Sequence, residues 1–363
     1  METFYPSYAY GWSPLRALVA GPFKYVAAPR PELYELPGDP RESHDLARVP
    51  ARAARVKALA EELARRTAGG TPTPADDPDT EERRERLGSL GYVGGAQLSR
   101  SGTGIDPKDG IVWLKDLDAA RRLASAGDPA AAAASIEKLL AKNPENLQAL
   151  FALVGARRQS GDWPKAVAAA RRAVAVAPGS AVARLHLANA LAHESREDAE
   201  RVYDEAIALS PRLVESYLDA AIFQLDGKKP EAARAILERA RAAGIADPSI
   251  EIALGGIEHA RGNRAAATAA YERAIALDHR EAKALEALGK IAFEDAQLAK
   301  AASLYERALD AKPTAALAKT LGAIRLELDD LPGAKAAFRR ALELAPNDPD
   351  AKELRELIDE AGP

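Results

Sequence analysis

The chain has 363 residues, 47% of them hydrophobic but only 5% aromatic, with 29% charged and a net charge of −4. This alanine-rich, mixed-sign composition describes a water-facing helical protein, and it offers no basic stripe that would hold nucleic acid. Cysteine is absent, which excludes a disulfide framework, thiolate metal sites and a cysteine nucleophile. No run approaches the roughly 18 uninterrupted apolar residues that membrane insertion requires.

The N-terminus, METFYPSYAYGWSPLRALVAGPF, lacks a basic start followed by an apolar run, so no secretory signal is expected here; the cytoplasm is the default compartment, and the periplasm or exterior the alternative if a missing front carried a signal. Tyr5, Tyr8, Tyr10, Tyr25 and Tyr34 cluster here among prolines. Leu15–Ala20 and Phe23–Ala27 have β-forming composition and are split by Gly21-Pro22, which predicts a hairpin. A third short strand is expected at Glu32–Leu36 and an amphipathic helix around Arg48–Arg66, making residues 1–70 a small α+β segment. Three short strands alone make a poor core. Residues 71–108 read as a linker by composition, with Thr71-Pro72-Thr73-Pro74 and the acidic run Asp76–Asp79, and with a short helix at Glu81–Leu90 before Gly91–Gly95.

The stretches YGWSPLRAL, FKYVAAPRPELYEL, DPRESHDLA and LGSLGYVGG together resemble the C-terminal end of bacterial sulfatases of the alkaline phosphatase superfamily. The matching residues are Arg16, Gly21, Lys24-Tyr25, Leu33–Leu36, Asp39-Pro40, Glu42 and Leu46-Ala47, with Asp45 where the family more often has asparagine. The resemblance implies a terminal sheet of a hydrolase that uses a formylglycine from Cys/Ser-x-Pro-x-Arg beside a divalent cation. Neither that motif nor its metal ligands are present; Ser13-Pro14-Leu15-Arg16 has the wrong spacing, and Asp76-Asp77 sits among prolines. The chain is therefore expected to be no enzyme and to need no cofactor or metal, although its parent could be a sulfatase-like hydrolase whose catalytic front is missing. Arg16 and Lys24 are expected to be solvated cations.

From residue 109 a pattern recurs: alanine, a bulky residue four later, alanine seven later and often proline twelve later, as in Ala301, Tyr305, Ala308 and Pro313. Ala199, Tyr203, Ala206, Pro211 and Ala334, Phe338, Ala341, Pro346 repeat it; Ala267, Tyr271 and Ala274 lack the proline, and Ala166, Ala170, Ala173, Pro178 lack the bulky residue. Equivalent positions lie 33 or 34 residues apart, as in Pro144 to Pro178, Pro178 to Pro211, and Leu288-Gly289 to Leu321-Gly322. Each period fits a first helix, a short turn and a second helix. Gly127-Asp128, Gly161-Asp162, Gly227-Lys228 and Gly262-Asn263 mark turns, while Glu194-Ser195-Arg196 replaces the glycine turn in the third copy. Small residues let two helices approach, and the bulky residue fills the space beside the crossing.

This pattern resembles the tetratricopeptide repeat family, which implies an all-α superhelical solenoid. Seven copies are read at 113–146, 147–180, 181–213, 214–247, 248–280, 281–314 and 315–348 within a repeat domain of 109–348, followed by a capping helix in 349–363 with Ala351, Leu354, Leu357 and Ile358 on one face. The resemblance also implies a non-catalytic scaffold that holds a protein or peptide, with self-association as a further option. Its groove positions fall on Phe151, Gly155, Arg158, Leu185, Asn189, His193, Leu218, Ile222, Ile252, Gly256, His259, Glu286, Lys290 and Phe293. Leu185 stands where a carboxylate-clamping member would carry lysine, so a chaperone tail is not the expected ligand. His186 and His193 share a helical face with Asn189, but without a completing ligand they read as solvated or groove-lining residues. Asp329-Asp330 falls in a repeat turn and is expected to be solvated.

Overall fold

The computed structural model describes residues 2–3, 13, 15–67 and 106–360. The expected short helix at 81–90, the linker sequence and Tyr5, Tyr8 and Tyr10 lie outside the described residues. The chain divides into two compact units, residues 1–219 and 220–363, and each is described by itself.

The first unit opens with an antiparallel sheet of sequential strands, β1 (Glu2–Thr3), β2 (Leu15–Ala20), β3 (Phe23–Ala27) and β4 (Glu32–Glu35). Gly21 takes a φ of 59° between β2 and β3, the left-handed conformation a two-residue hairpin loop needs and glycine adopts freely. The register sets Leu18 opposite Tyr25 and Tyr25 opposite Leu33, and all three are buried. Leu59 and Leu63 of helix α1 (Ala53–Thr67) complete this core, which the strands alone would leave open. The helix expected from Arg48 begins instead with a 3-10 turn at Pro50–Arg52. The strand expected to reach Leu36 ends at Glu35.

The segment after β4 folds back on the sheet. Leu46 donates its amide to the Leu33 carbonyl at 2.8 Å, and Asp45 accepts the amides of Leu33 and Ala47 at 3.0 and 2.9 Å. Lys24 is not simply solvated: its ammonium donates to both carboxylate oxygens of Glu42, at 2.7 and 2.6 Å.

The helices that follow form pairs. In the first unit these are α2 (Pro107–Ser125) with α3 (Pro129–Lys142), α4 (Leu147–Gln159) with α5 (Trp163–Val176), and α6 (Ala181–Leu191) with α7 (Arg196–Leu209). Helix α8 (Val214–Asp226) crosses the boundary between the units. The second unit continues with α9 (Pro230–Ala242), α10 (Pro248–Ala260), α11 (Arg264–Leu277), α12 (Ala282–Glu294), α13 (Leu298–Ala311), α14 (Ala315–Glu327), α15 (Leu331–Leu344) and α16 (Ala351–Glu360). Among the described residues there are sixteen α-helices, an all-α repeat fold preceded by a small sheet. None of them is long and apolar enough to cross a membrane.

Size complementarity sets how each pair packs. A Cβ added to Gly255 would lie 2.6 Å from the Tyr271 ring, and one added to Gly289 would lie 2.9 Å from Tyr305; Gly322 meets Phe338 in the same way. Hydrogen in place of a methyl group is thus what admits each aromatic ring. In the α4–α5 pair the sizes are exchanged, with Val154 on the first helix and Ala170 on the second, both fully buried. Leu354 of α16 packs on Ala334, Phe338 and Ala341, with Leu357 and Ile358 partly buried beside it.

Helix starts are fixed by side chains that accept a free backbone N–H. Asp128, Asp162, Ser195, Asn263 and Asp330 cap second helices, and Asp106, Asn146, Ser180, Asp247 and Thr314 cap first helices. Asp330 is therefore a cap, not merely a solvated carboxylate. Helix α2 starts at Pro107, ahead of the expected 113, because Asp106 caps it by accepting from the Lys108 amide at 2.9 Å. The same carboxylate accepts from the Arg30 amide at 3.0 Å, while Arg30 also donates to Asp109 at 2.7 Å and Lys108 pairs with Glu32. Burial pushes the Asp106 carboxyl up, but these amides and cations outweigh it and hold it below the usual carboxylate range.

The turn inside most pairs has one residue with left-handed backbone: Gly127, Gly161, Lys228, Gly262, Ala296 and Asp329, with φ between 58° and 91°. In the fourth pair this residue is Lys228, one later than the expected Gly227. The third pair has no such residue; α6 stops after 11 residues, and the amides of Glu194 and Ser195 both bond to the Leu191 carbonyl at 2.8 Å. An L-residue in this region costs roughly 1–2 kcal/mol, partly offset by the lower unfolded-state entropy of a non-glycine residue. Ala296→Gly is therefore expected to stabilise the second unit by about 0.5–1 kcal/mol and Gly262→Ala to destabilise it by a similar amount, read from urea-unfolding midpoints at unchanged slope.

Candidate functional site

The first helices of successive repeats touch one another in the first unit, α2 against α4 and α4 against α6. Along α4, Phe151, Gly155 and Arg158 recur at i, i+4 and i+7 and so share one face. Gly155 is exposed, and a Cβ placed there would meet nothing within 4 Å. It lies in a cleft of about 470 Å³ between α2 and α4, walled by Phe151, floored by Ile136, Ala152 and Ala156, and rimmed by Arg121, Gln148 and Gln159. Gln159 donates to the Ala124 carbonyl at 3.1 Å, tying the two helices across one end.

On the next helix, His186 stacks on Phe151 with ring centroids 4.5 Å apart at 20°. His193 stacks on Trp163 at 3.6 Å and 16°. The two histidines thus face different aromatic partners, and among the described residues no group of histidine and carboxylate side chains could hold a metal ion. Between them Asn189 is pinned from both sides: its amide donates to Asp219 at 2.7 Å and its carbonyl accepts from the Tyr203 hydroxyl at 2.5 Å.

Not every residue expected in the groove is available to a ligand. Leu185 is buried and belongs to the core, while Leu218 is half-buried. In the second unit Ile222 is 54% and Phe293 39% exposed, Glu286 and Lys290 are exposed, and Gly256 is open to solvent. Ile252 packs against the core around α12. His259 lies 3.4 Å from Glu294, which also pairs with Arg264 at 2.9 Å. A second cleft, of about 260 Å³ among α9, α10 and α11, contains Arg234, Arg241 and Arg273, but carboxylates match them: Glu258 lies 3.0 Å from Arg234, Glu251 lies 2.8 Å from Arg273, and Glu238 pairs with Arg241. Arg234–Glu258 and Arg273–Glu251 join neighbouring helices through buried carboxylates, Arg241–Glu238 lies along α9, and together they leave little net charge for a ligand.

Trp163, Gln148, Gln159 and Asp219 were not anticipated as parts of this surface. Trp163 opens a second helix directly after a turn, which brings it beside the end of the neighbouring first helix; its place in the period is the signal that could have found it.

Residues 117–181, 156–198 and 257–316 match the tetratricopeptide repeat family model. The helix pairs within these segments are similar to tetratricopeptide repeats, and the remaining pairs share their helix-turn-helix form. Similar solved structures include a tetratricopeptide repeat protein from Parabacteroides merdae (18% identity, 69% of this chain and 98% of that one, TM-score 0.42). Pseudomonas aeruginosa PilF (19% identity, 58% and 96%, TM-score 0.43) and the C-terminal part of a repeat-containing protein from Cytophaga hutchinsonii (14%, 66% and 98%, TM-score 0.44) are also similar. No curated protein matches the sequence.

Burial, together with the nearby Arg158 cation, pushes the His186 imidazole down to about 4. Its unfolded value lies near 6.5, so the unfolded chain takes up the proton first as pH falls. The associated stability is complete above about pH 6.5 and is lost between there and pH 4, amounting to no more than about 3 kcal/mol because solvent still reaches part of the ring. His186→Phe is expected to flatten the decline of the thermal midpoint between pH 7 and pH 4.5, measured by circular dichroism; an unchanged decline would show that other groups carry it.

Proposed function

We propose that the chain is a non-catalytic scaffold and that the α2–α4–α6 face of its first unit holds an extended peptide segment of a partner protein. The cleft at Gly155 carries this reading. It is large enough for a bulky side chain, has an apolar floor, and is bordered by polar groups that can fix a peptide backbone. The test is selection of binding peptides from a random display library on the full chain, followed by calorimetry. Phe151→Ala is expected to weaken the selected peptides about tenfold, the loss of one well-buried aromatic contact. Equal binding to the variant would remove this face from consideration.

A second reading concerns residues 15–67. Motifs on which the sulfatase resemblance rests touch one another, Lys24 with Glu42 and Asp45 with the amides of Leu33 and Ala47. This supports a module derived from a hydrolase tail, kept as a folded unit beside the repeats. The purified chain is expected to turn over no p-nitrophenyl sulfate, since it has no cysteine and no Ser-x-Pro-x-Arg; measurable release of p-nitrophenol would overturn the non-catalytic assignment.

A further inference from the structure

Arg157 and Arg158 are consecutive on α4, yet their surroundings differ. Arg157 pairs with Glu137 at 2.5 Å and with Asp162 at 3.4 Å. The Arg158 side chain makes no ion pair or hydrogen bond among the described residues, and its Nε, like that of Arg157, is shut off from solvent without an acceptor. His186 lies near enough to feel its charge, and burial first and the Arg158 cation second both favour the neutral imidazole. A guanidinium partly removed from water with nothing opposite it is an arrangement that an incoming anion satisfies.

Its position specifies the anion further. Arg158 lies three residues beyond Gly155 and seven beyond Phe151 on the same helical face. That is about 5 to 10 Å along the axis, the span of roughly two or three residues of extended chain. Arg121, on the cleft rim, has Asp118 at 3.5 Å, and Asp219 adds a carboxylate against Asn189, so Arg158 offers a local place for an anion while the face as a whole is not cationic. This suits a single carboxylate; a nucleic-acid backbone would need several cations in a row.

We infer that this face selects peptides in which a carboxylate lies within about three residues of a bulky apolar side chain, the apolar group entering the cleft at Gly155 and the carboxylate taking Arg158. The inference rests on the peptide-binding reading above and adds to it a sequence preference. Asn189, held by Tyr203 and Asp219, stands on the neighbouring helix as a fixed polar group beside the bound chain.

The experiment sequences peptides selected by display on the full chain, then measures one synthetic peptide and its acid-to-amide counterpart by calorimetry against the natural protein, Arg158→Gln and Phe151→Ala. Expected are an enriched Asp or Glu near an apolar anchor, a loss of about tenfold for either the amide peptide or Arg158→Gln, and no further loss when the two are combined. The amide peptide tests the preference on the natural protein, so a folding defect in Arg158→Gln cannot obscure it. Peptides that depend on Phe151 but lack an acidic preference, or bind Arg158→Gln within twofold, would overturn the inference and leave the peptide-binding reading standing. Failure to select peptides, or indifference to Phe151→Ala, would overturn both.

Discussion

The fold depends on one steric constraint, the meeting of a small residue on the first helix of a pair with a ring or larger side chain on the second. At Gly255, Gly289 and Gly322 the ring occupies the place a Cβ would take. Helix backbones can approach this closely only where no side chain intervenes. Because the contact recurs with the period of the sequence, it positions each first helix relative to its second and leaves the far side of the first helix free. The candidate binding face is that free side.

The exchange of sizes in the α4–α5 pair has a consequence for this face. Val154, fully buried, stands at the register position that glycine holds in later pairs, and Gly155 one residue later is exposed. Rotation by one residue is about 100° of helix, so a glycine that elsewhere serves packing here opens the surface.

The period made the helix pairs legible in the sequence, since each carries its own alanine and aromatic markers. The hairpin was legible from Gly21-Pro22 and the flanking β-forming runs. The start of α2 was not, because the repeat pattern is silent there and the deciding residue, Asp106, acts through its side chain on a backbone amide. Most helix caps escaped notice for the same reason: Asp, Asn, Ser and Thr before a helix look like ordinary turn residues until their partners are seen. Of the proposed binding face, Phe151, Arg158, Asn189 and His193 could be named from register alone. The stacking of His186 on Phe151 and of Trp163 on His193, and the pairing of Lys24 with Glu42, depend on contacts between elements that no local pattern encodes.

Asp106 caps α2 and at the same time accepts from the Arg30 amide. One buried carboxylate therefore belongs to two structures, the first repeat and the N-terminal sheet. Ordering of either arranges the acceptor for the other, so the two are linked in free energy through this carboxylate and the Arg30–Asp109 and Lys108–Glu32 pairs beside it. A partner that stabilised the first helix would thereby also tighten the hold on a module it never touches.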